Sequence, residues 1–419
     1  MNSNLKIAII GGSIWGNRGA AAMLETTIAK VKQLNPNTTF VIFTPHPIKD
    51  QLLTNNSDLE FYDSRPFAIV KDYLQVLIHQ MFRQKTSLIG SVKNLSECDV
   101  LLDIGGITFS DGRLIFLPYN VLTILPALML KIPVIKLSQA AGPFKNPIIH
   151  FYAKKLLNRC TKVFARGEKT FQYLKELGIS ENRVALATDI AFLYKPEFCL
   201  TSENTASINQ VIDRINEARS KGTVLVALSP SILVQEKSGM NQIDYDQILI
   251  NLISSTGSKD IHFLVFPNAS REKSKKIRNN DIIAIEKLRV KAELSLPRPL
   301  LKRITWITYD VDTRGINDLV KNVDVLVASR FHAMVFGLRL SIPTLVVGWG
   351  HKYLEAMQAF QQQKYVFDYR DHNLDLHQIL FEMIERNSII RSEMREAIIV
   401  VEKSSEAQFQ YLNELINDL

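Results

Sequence analysis

DVLVASRFHAMVFGLRLSIPTLVVGWGHKYLEAM, residues 324–357, repeats one pattern: a short aliphatic run, a polar cluster, then a segment of helical period. DVLVAS ends in Ser329, Arg330, Phe331 and His332; PTLVVGW ends in Gly350, His351 and Lys352. A run of four to six aliphatic residues bounded by such clusters reads as a strand buried on both faces, and strands of that kind belong to parallel sheets covered by helices. Ligands of open parallel sheets collect at the carboxyl ends of the strands, where these two clusters stand.

The same pattern runs the length of the chain. KIAIIGG (6–12), TTFVIFTP (38–45), DVLLDIGG (99–106), PVIKLSQAAGPF (133–144), TKVFARG (161–167) and NRVALATD (182–189) read as strands of the first half. TVLVALSP (223–230), IHFLVFPN (261–268), DVLVAS and PTLVVGW read as strands of the second. Helix-period segments such as GAAAMLETTIAKVKQL (19–34) lie between them. The expected fold is therefore α/β, with two Rossmann-like doubly wound domains facing a cleft. At 419 residues the chain exceeds one ordinary core. The polar stretch KPEFCLTSENTASINQ (195–210) is the best linker, which predicts domains over 1–200 and 201–419. Residues 389–417 read as one or two amphipathic helices that pack back on the first domain.

Hydrophobic residues make up 46% of the chain and charged ones 22%, which excludes a disordered protein. Cys98, Cys160 and Cys199 lack paired spacing, so neither a disulfide framework nor a zinc site is expected. MNSNLKIAIIGGS shows no secretory leader and no apolar run reaches about 18 residues, so the expected location is the cytoplasm. The net charge of +8 suits nucleic acid, an anionic membrane surface or phosphorylated substrates, and also occurs with none of them. The Lys and Arg residues are dispersed, and the longest cluster, SREKSKKIR (270–278), reads as a solvated face, so nucleic acid is not expected. AIVKDYLQVLIHQMFRQK (68–85), with Lys71, Arg83 and Lys85, is amphipathic; core packing is the first reading, peripheral membrane contact the second.

Candidate site residues follow from the strand ends. GGSIWGNRGAAAML (11–24) leaves the first strand with four glycines, and Asn17 and Arg18 can hold a hydroxyl or an anion there. Asp103, in LLDIGGITFSDGR, can accept from sugar hydroxyls or, like Asp111, from backbone amides of a turn. Gln139 offers a donor and an acceptor. Arg166, ahead of a helix, suits phosphate or carboxylate, or else a salt bridge to Glu168 or another acid. Arg330 can neutralise a phosphoryl or carboxyl group and His332 can move a proton near neutral pH. After Trp349, Lys352 can add positive charge and His351 can be a second base; the alternative is that both are exposed loop residues. No HxH, HExxH, EF-hand, Walker or GxSxG pattern occurs, so no metal is expected.

GNRGAAAML, LLDIGG, SQAAGPF, ARGEKTFQYLKELGI, ATDIAFL, ASRFHAMVFGL and GWGHKY, in this order, resemble the polysaccharide pyruvyl transferase family. The resemblance covers the chain from the first strand to about residue 360. It implies a two-domain fold similar to GT-B, and transfer of an enolpyruvyl-derived group from phosphoenolpyruvate to a sugar diol, with no cofactor. It implies that Arg330 and His332 contact phosphoenolpyruvate with Phe331 between them, and that Arg166 is a recurrent arginine. Arg166, Lys352 and His351 then join the donor set, while Asn17, Arg18, Asp103 and Gln139 face a saccharide or lipid-linked acceptor. Many relatives carry an acid after the N-terminal NxG, where this chain has Ala20, so an acceptor contact by that carboxylate is absent or rearranged. Two other readings keep the same fold: a glycosyltransferase with a nucleotide-sugar donor, and a noncatalytic sugar-binding protein.

Overall fold

A computed structural model describes residues 5–82, 85–201, 205–271, 279–348, 350–371 and 375–418, with the backbone alone of Thr205, Ala206 and His351. Arg83, Trp349 and most of the SREKSKKIR cluster therefore lie outside the described residues. The chain divides into two compact units. One comprises the chain up to Trp15, Ala20–Tyr194 and the segment from Glu402; the other comprises Gly16–Gly19 and Lys195–Val401. The boundary falls at 194/195 rather than 200. Four residues of the glycine-rich segment, Gly16–Gly19, belong with the second unit rather than the first.

In the first unit, among the described residues, the strands are β1 (Lys6–Ile10), β2 (Thr39–Thr44), β3 (Leu59–Asp63), β4 (Val100–Asp103), β5 (Ile107–Ser110), β6 (Val134–Gly142), β7 (Lys162–Ala165) and β8 (Val184–Leu186). Their order is β3-β2-β1-β4-β6-β7-β8 with β5 on β6, and every pairing is parallel. In the second, β9 (Val224–Ser229), β10 (Ile261–Val265), β11 (Ile304–Trp306), β12 (Val325–Ala328), β13 (Thr344–Gly348) and β14 (Val366–Asp368) run in the order β11-β10-β9-β12-β13-β14, again all parallel. Both orders are doubly wound, and the winding reverses between β1 and β4 and between β9 and β12. At such a point successive connections leave to opposite faces, which opens a crevice beyond the strand ends.

The aliphatic runs form the central strands because only a chain apolar on both faces can lie between two helix layers; every residue of β4, β6, β12 and β13 is buried. β3, β11 and β14, which the runs did not predict, are edge strands of three to five residues, half-exposed on one or both faces. Cys98 and Cys160 are buried free thiols whose pKa burial pushes up to about 12, so they pack as small hydrophobes.

The C-terminal segment forms one helix, Asn387–Asp418, whose residues to Val401 belong to the second unit and from Glu402 to the first. In the first unit Gln408 is wholly buried. Its Oε1 accepts from Ser138 N (2.9 Å) and Oγ (3.2 Å), and its Nε2 donates to Thr188 O (3.0 Å). Gln408→Leu strands the Ser138 amide without a partner, and the first unit is expected to lose about 1–3 kcal/mol in urea unfolding. An unchanged midpoint would show that water replaces these bonds.

Candidate functional site

In the second unit the reversal point carries the polar cluster that the sequence singled out. Ser229 ends β9 opposite Ala328 of β12, and the chain then passes through Ser329 and Arg330 into the helix Phe331–Arg339. Arg330 is the N-cap in extended conformation, and its side chain does not cap the helix. The helix therefore presents its first amides beyond the strand ends, with the positive end of its dipole, an arrangement that suits an anion.

The Arg330 side chain is held from beneath. Its Nε donates to Asp281 Oδ1 (3.0 Å) and Oδ2 (2.9 Å), and Nη2 donates to Oδ1 (2.6 Å). Asp281 is wholly buried and also accepts from Ile232 N at 3.0 Å and Ala269 N at 2.9 Å. One carboxylate thus joins the segments that follow β9, β10 and β12. Among the described residues, Nη1 has a bond to Asn279 Oδ1 at 3.4 Å, longer than an ordinary N–H···O bond. With Nε and Nη2 given to Asp281, the Nη1 edge is the one that can meet a ligand.

Two buried tyrosines hold the turn. Tyr245 donates its hydroxyl to Ser329 Oγ (2.6 Å), and Tyr353 donates to Ser329 O (3.2 Å). Burial raises both phenol pKa values, that of Tyr353 to about 12, so both stay protonated donors at neutral pH. The Phe331 ring stands edge-on to His332 (5.2 Å between centroids) and to Tyr353 (5.8 Å). Lys352 Nζ lies 5.1 Å from the centroids of both Phe331 and Tyr353, within reach of cation–π attraction.

Gly16–Gly19 completes this cluster. Asn17 forms an antiparallel bridge with Ala269, Arg18 N donates to Asn268 O (3.1 Å), and Ser270 N donates to Gly16 O (2.9 Å). The buried Arg18 guanidinium pairs with Asp310, which also accepts from Ser270 Oγ. Gly19 then lies flat against the imidazole of His332, where a Cβ would overlap Nδ1 and Cγ. Asn17 Oδ1 accepts from Gly19 N (3.1 Å). Asn17 and Arg18, expected on the acceptor side of the first domain, are thus brought together with Arg330, Phe331, His332 and Lys352. The side chain of His351 is outside the described residues.

Asp103, Gln139 and Arg166 are brought together elsewhere, in the first unit. Asp103 ends β4 and pairs with Lys136, its cross-strand neighbour on β6, both side chains buried; Oδ1 accepts from Gly105 N at 2.9 Å. Gln139 is wholly buried, donating to Asp103 O and Leu137 O (both 3.1 Å) and accepting from Thr108 Oγ1 (2.7 Å). Arg166 pairs with Asp189 at 2.6 Å rather than with Glu168, and Gly106 packs on its guanidinium. Across β1, Gly11 has φ +86° and its Cα faces the Gly105 backbone with no room for a side chain. A buried carboxylate, Asp50, fastens the loop beyond it by accepting from Ser13 Oγ (3.0 Å), Trp15 N (2.7 Å) and Thr44 Oγ1 (2.6 Å), and burial raises its pKa.

The sequence reading missed Asp281, Asp310, Asp189 and the two tyrosines. Lys136 was visible: a lysine inside PVIKLSQ must bring a buried acid with it. Among the described residues no group of three or more His, Cys, Asp or Glu is placed to hold a metal ion.

The sequence model of the polysaccharide pyruvyl transferase family matches residues 17–351. The chain belongs to that family. The match begins at Asn17 and ends at His351, both in the second unit, and it confirms the resemblance carried by the motifs. This pyruvyl transferase family member is also 18% identical over 371 residues to the amylovoran biosynthesis protein AmsJ of Erwinia amylovora, covering 84% of this chain and 86% of that protein. Among solved structures, HepE of Anabaena in complex with UDP-glucose has a TM-score of 0.60 at 13% identity, covering 99% of this chain and 100% of that one. UDP-GlcNAc 2-epimerase of Neisseria meningitidis bound to UDP-GlcNAc has a TM-score of 0.62 at 12% identity, covering 99% and 100%. At that identity the likeness is one of fold, which is GT-B-like.

In this pyruvyl transferase, Arg330→Met leaves the Asp281 carboxylate buried without its partner. Unfolding free energy is expected to fall by about 3–5 kcal/mol. A loss below roughly 1 kcal/mol in urea unfolding would show that Asp281 finds water instead.

Proposed function

We propose that the protein moves the enolpyruvyl-derived group of phosphoenolpyruvate onto two hydroxyls of a saccharide, in a polysaccharide or a lipid-linked precursor, leaving a cyclic pyruvate ketal and free phosphate. The observation that carries this reading is the meeting of His332, the Arg330 Nη1 edge and a helix N-terminus without a side-chain cap beyond β12, inside the stretch that matches the family. Phosphoenolpyruvate has a phosphate and a carboxylate three atoms apart. A helix N-terminus, a guanidinium edge and the Lys352 ammonium supply donors for both.

In this reading His332 delivers a proton to C3 of the donor, and C2 takes up oxocarbenium character. One sugar hydroxyl adds to C2, the C2–O bond to phosphate breaks, and the second hydroxyl closes the ring. Two C–O bonds form; of the two hydroxyl protons, one replaces the proton given to C3 and the other leaves with phosphate. Asn17, beside Gly19 and His332, has an amide NH₂ for an acceptor hydroxyl. Arg330 is a binding residue here and moves no proton. Asp103, Gln139 and Arg166 act through structure, shaping the loops at the first unit's strand ends.

General acid catalysis contributes roughly 10²–10⁴ in rate, so His332→Gln is expected to lower kcat by that factor with little change in the KM for phosphoenolpyruvate. The assay is phosphate release from phosphoenolpyruvate with methyl hexopyranosides as acceptors, and the ketal methyl signal identifies the product. An unchanged kcat removes His332 from the reaction. Release of UDP from UDP-glucose by the wild type would make the protein a glycosyltransferase instead.

A further inference from the structure

The Pro66–Met81 helix of the first unit is inverted for a helix that covers a sheet. Ile69 and Val76 are its buried residues, while Phe67, Val70, Leu74, Ile78 and Met81 follow one another at spacings of three and four and are all exposed, Phe67 to 87% and Met81 to 70%. The stripe continues onto its neighbours. Pro66–Met81 packs against Leu117–Leu122 and Leu125–Met129, and Leu117–Leu122 packs against Leu114–Phe116 and Pro147–Leu157. That layer adds Ile115, 85% exposed, and Ile148, Phe151 and Tyr152, all exposed.

The charge of the same layer is one-sided. Residues 112–167 contain no Asp or Glu and nine Lys or Arg, of which Lys136 and Arg166 are buried in ion pairs. Lys145, Lys154, Lys155 and Arg159 are exposed, as are Lys71 on the inverted helix and Lys85 beyond it. The four helices and the Leu114–Phe116 turn hold a single acid, Asp72, which is half-buried and accepts from Ser91 Oγ at 2.7 Å. Among the described residues no helix is long and apolar enough to cross a membrane.

We infer that this layer lies on the surface of an anionic lipid bilayer, with Phe67, Ile78, Met81, Ile115 and Phe151 entering the headgroup boundary and the lysines meeting lipid phosphates. Exposed aromatic and aliphatic side chains in a layer that carries several exposed lysines and a single half-buried acid, Asp72, fit an anionic bilayer better than a neutral one. A second copy of the chain fits poorly, because a two-fold contact through this face sets the lysines against their own equivalents. The inference does not depend on the donor proposed above, since none of these residues belongs to the second unit's cluster.

The test is sedimentation of the full-length protein with vesicles of phosphatidylcholine alone and of phosphatidylcholine mixed with phosphatidylglycerol. The protein is expected to sediment with the mixed vesicles and not with phosphatidylcholine alone, and to be released as salt rises. Lys154→Glu with Lys155→Glu, and separately Phe67→Ser with Met81→Ser, are expected to lower the partition coefficient at least roughly tenfold with unchanged melting temperature. The inference is overturned if the wild type stays in solution with the mixed vesicles, or if both variants sediment as the wild type does. Light scattering that shows a dimer dispersed by the Ser variant, with vesicle binding absent, would assign the face to a second copy.

Discussion

The second unit's cluster depends on one buried carboxylate. Asp281 accepts from Arg330, Ile232 N and Ala269 N, and so fixes the segments beyond β9, β10 and β12 against one another. Burying a carboxylate is costly unless donors are held against it, so the same pair that satisfies Asp281 also fixes Arg330 at the start of its helix. His332 follows two residues later and owes its place to that helix. Gly16–Gly19 then closes on it through Asn268, Ser270 and Asp310.

Most of the arginines that look like anion receptors are already paired. Arg18 meets Asp310, Arg166 meets Asp189 and Arg330 meets Asp281. Each pair is close to neutral, so what it offers a ligand is oriented N–H donors rather than net charge. Oriented donors cost little reorganisation when charge develops during a reaction, which is the physical advantage of such a site. Net positive charge is carried instead by the outer layer of the first unit, whose exposed lysines outnumber its single acid, Asp72.

The central strands of both sheets were legible because burial on two faces leaves a continuous aliphatic run, and a polar residue straight after such a run must stand at the strand's end. That logic found Arg330 and His332. It could not find Asp281, which lies 49 residues from Arg330 in the unremarkable stretch NND and is recognised only through its bonds. Asn17 and Arg18 were assigned to the first domain by their place in sequence, yet Asn17 bridges Ala269 and the hydrogen bonds of Arg18 run to residues 268 and 310. Gln139 looked available because an amide can bind anything; burial and three hydrogen bonds commit it to the fold. The apolar residues of the Pro66–Met81 helix were read first as core, since periodicity marks a face without saying which way it points.

The account's central claim is that the second unit's cluster is built for a small enol phosphate that also carries a carboxylate, rather than for a nucleotide. Isothermal titration of the wild-type protein with phosphoenolpyruvate, and separately with UDP and UDP-glucose, tests it most directly. The account predicts saturable heat with phosphoenolpyruvate and none with either uridine compound. Saturable binding of UDP with no response to phosphoenolpyruvate would contradict it.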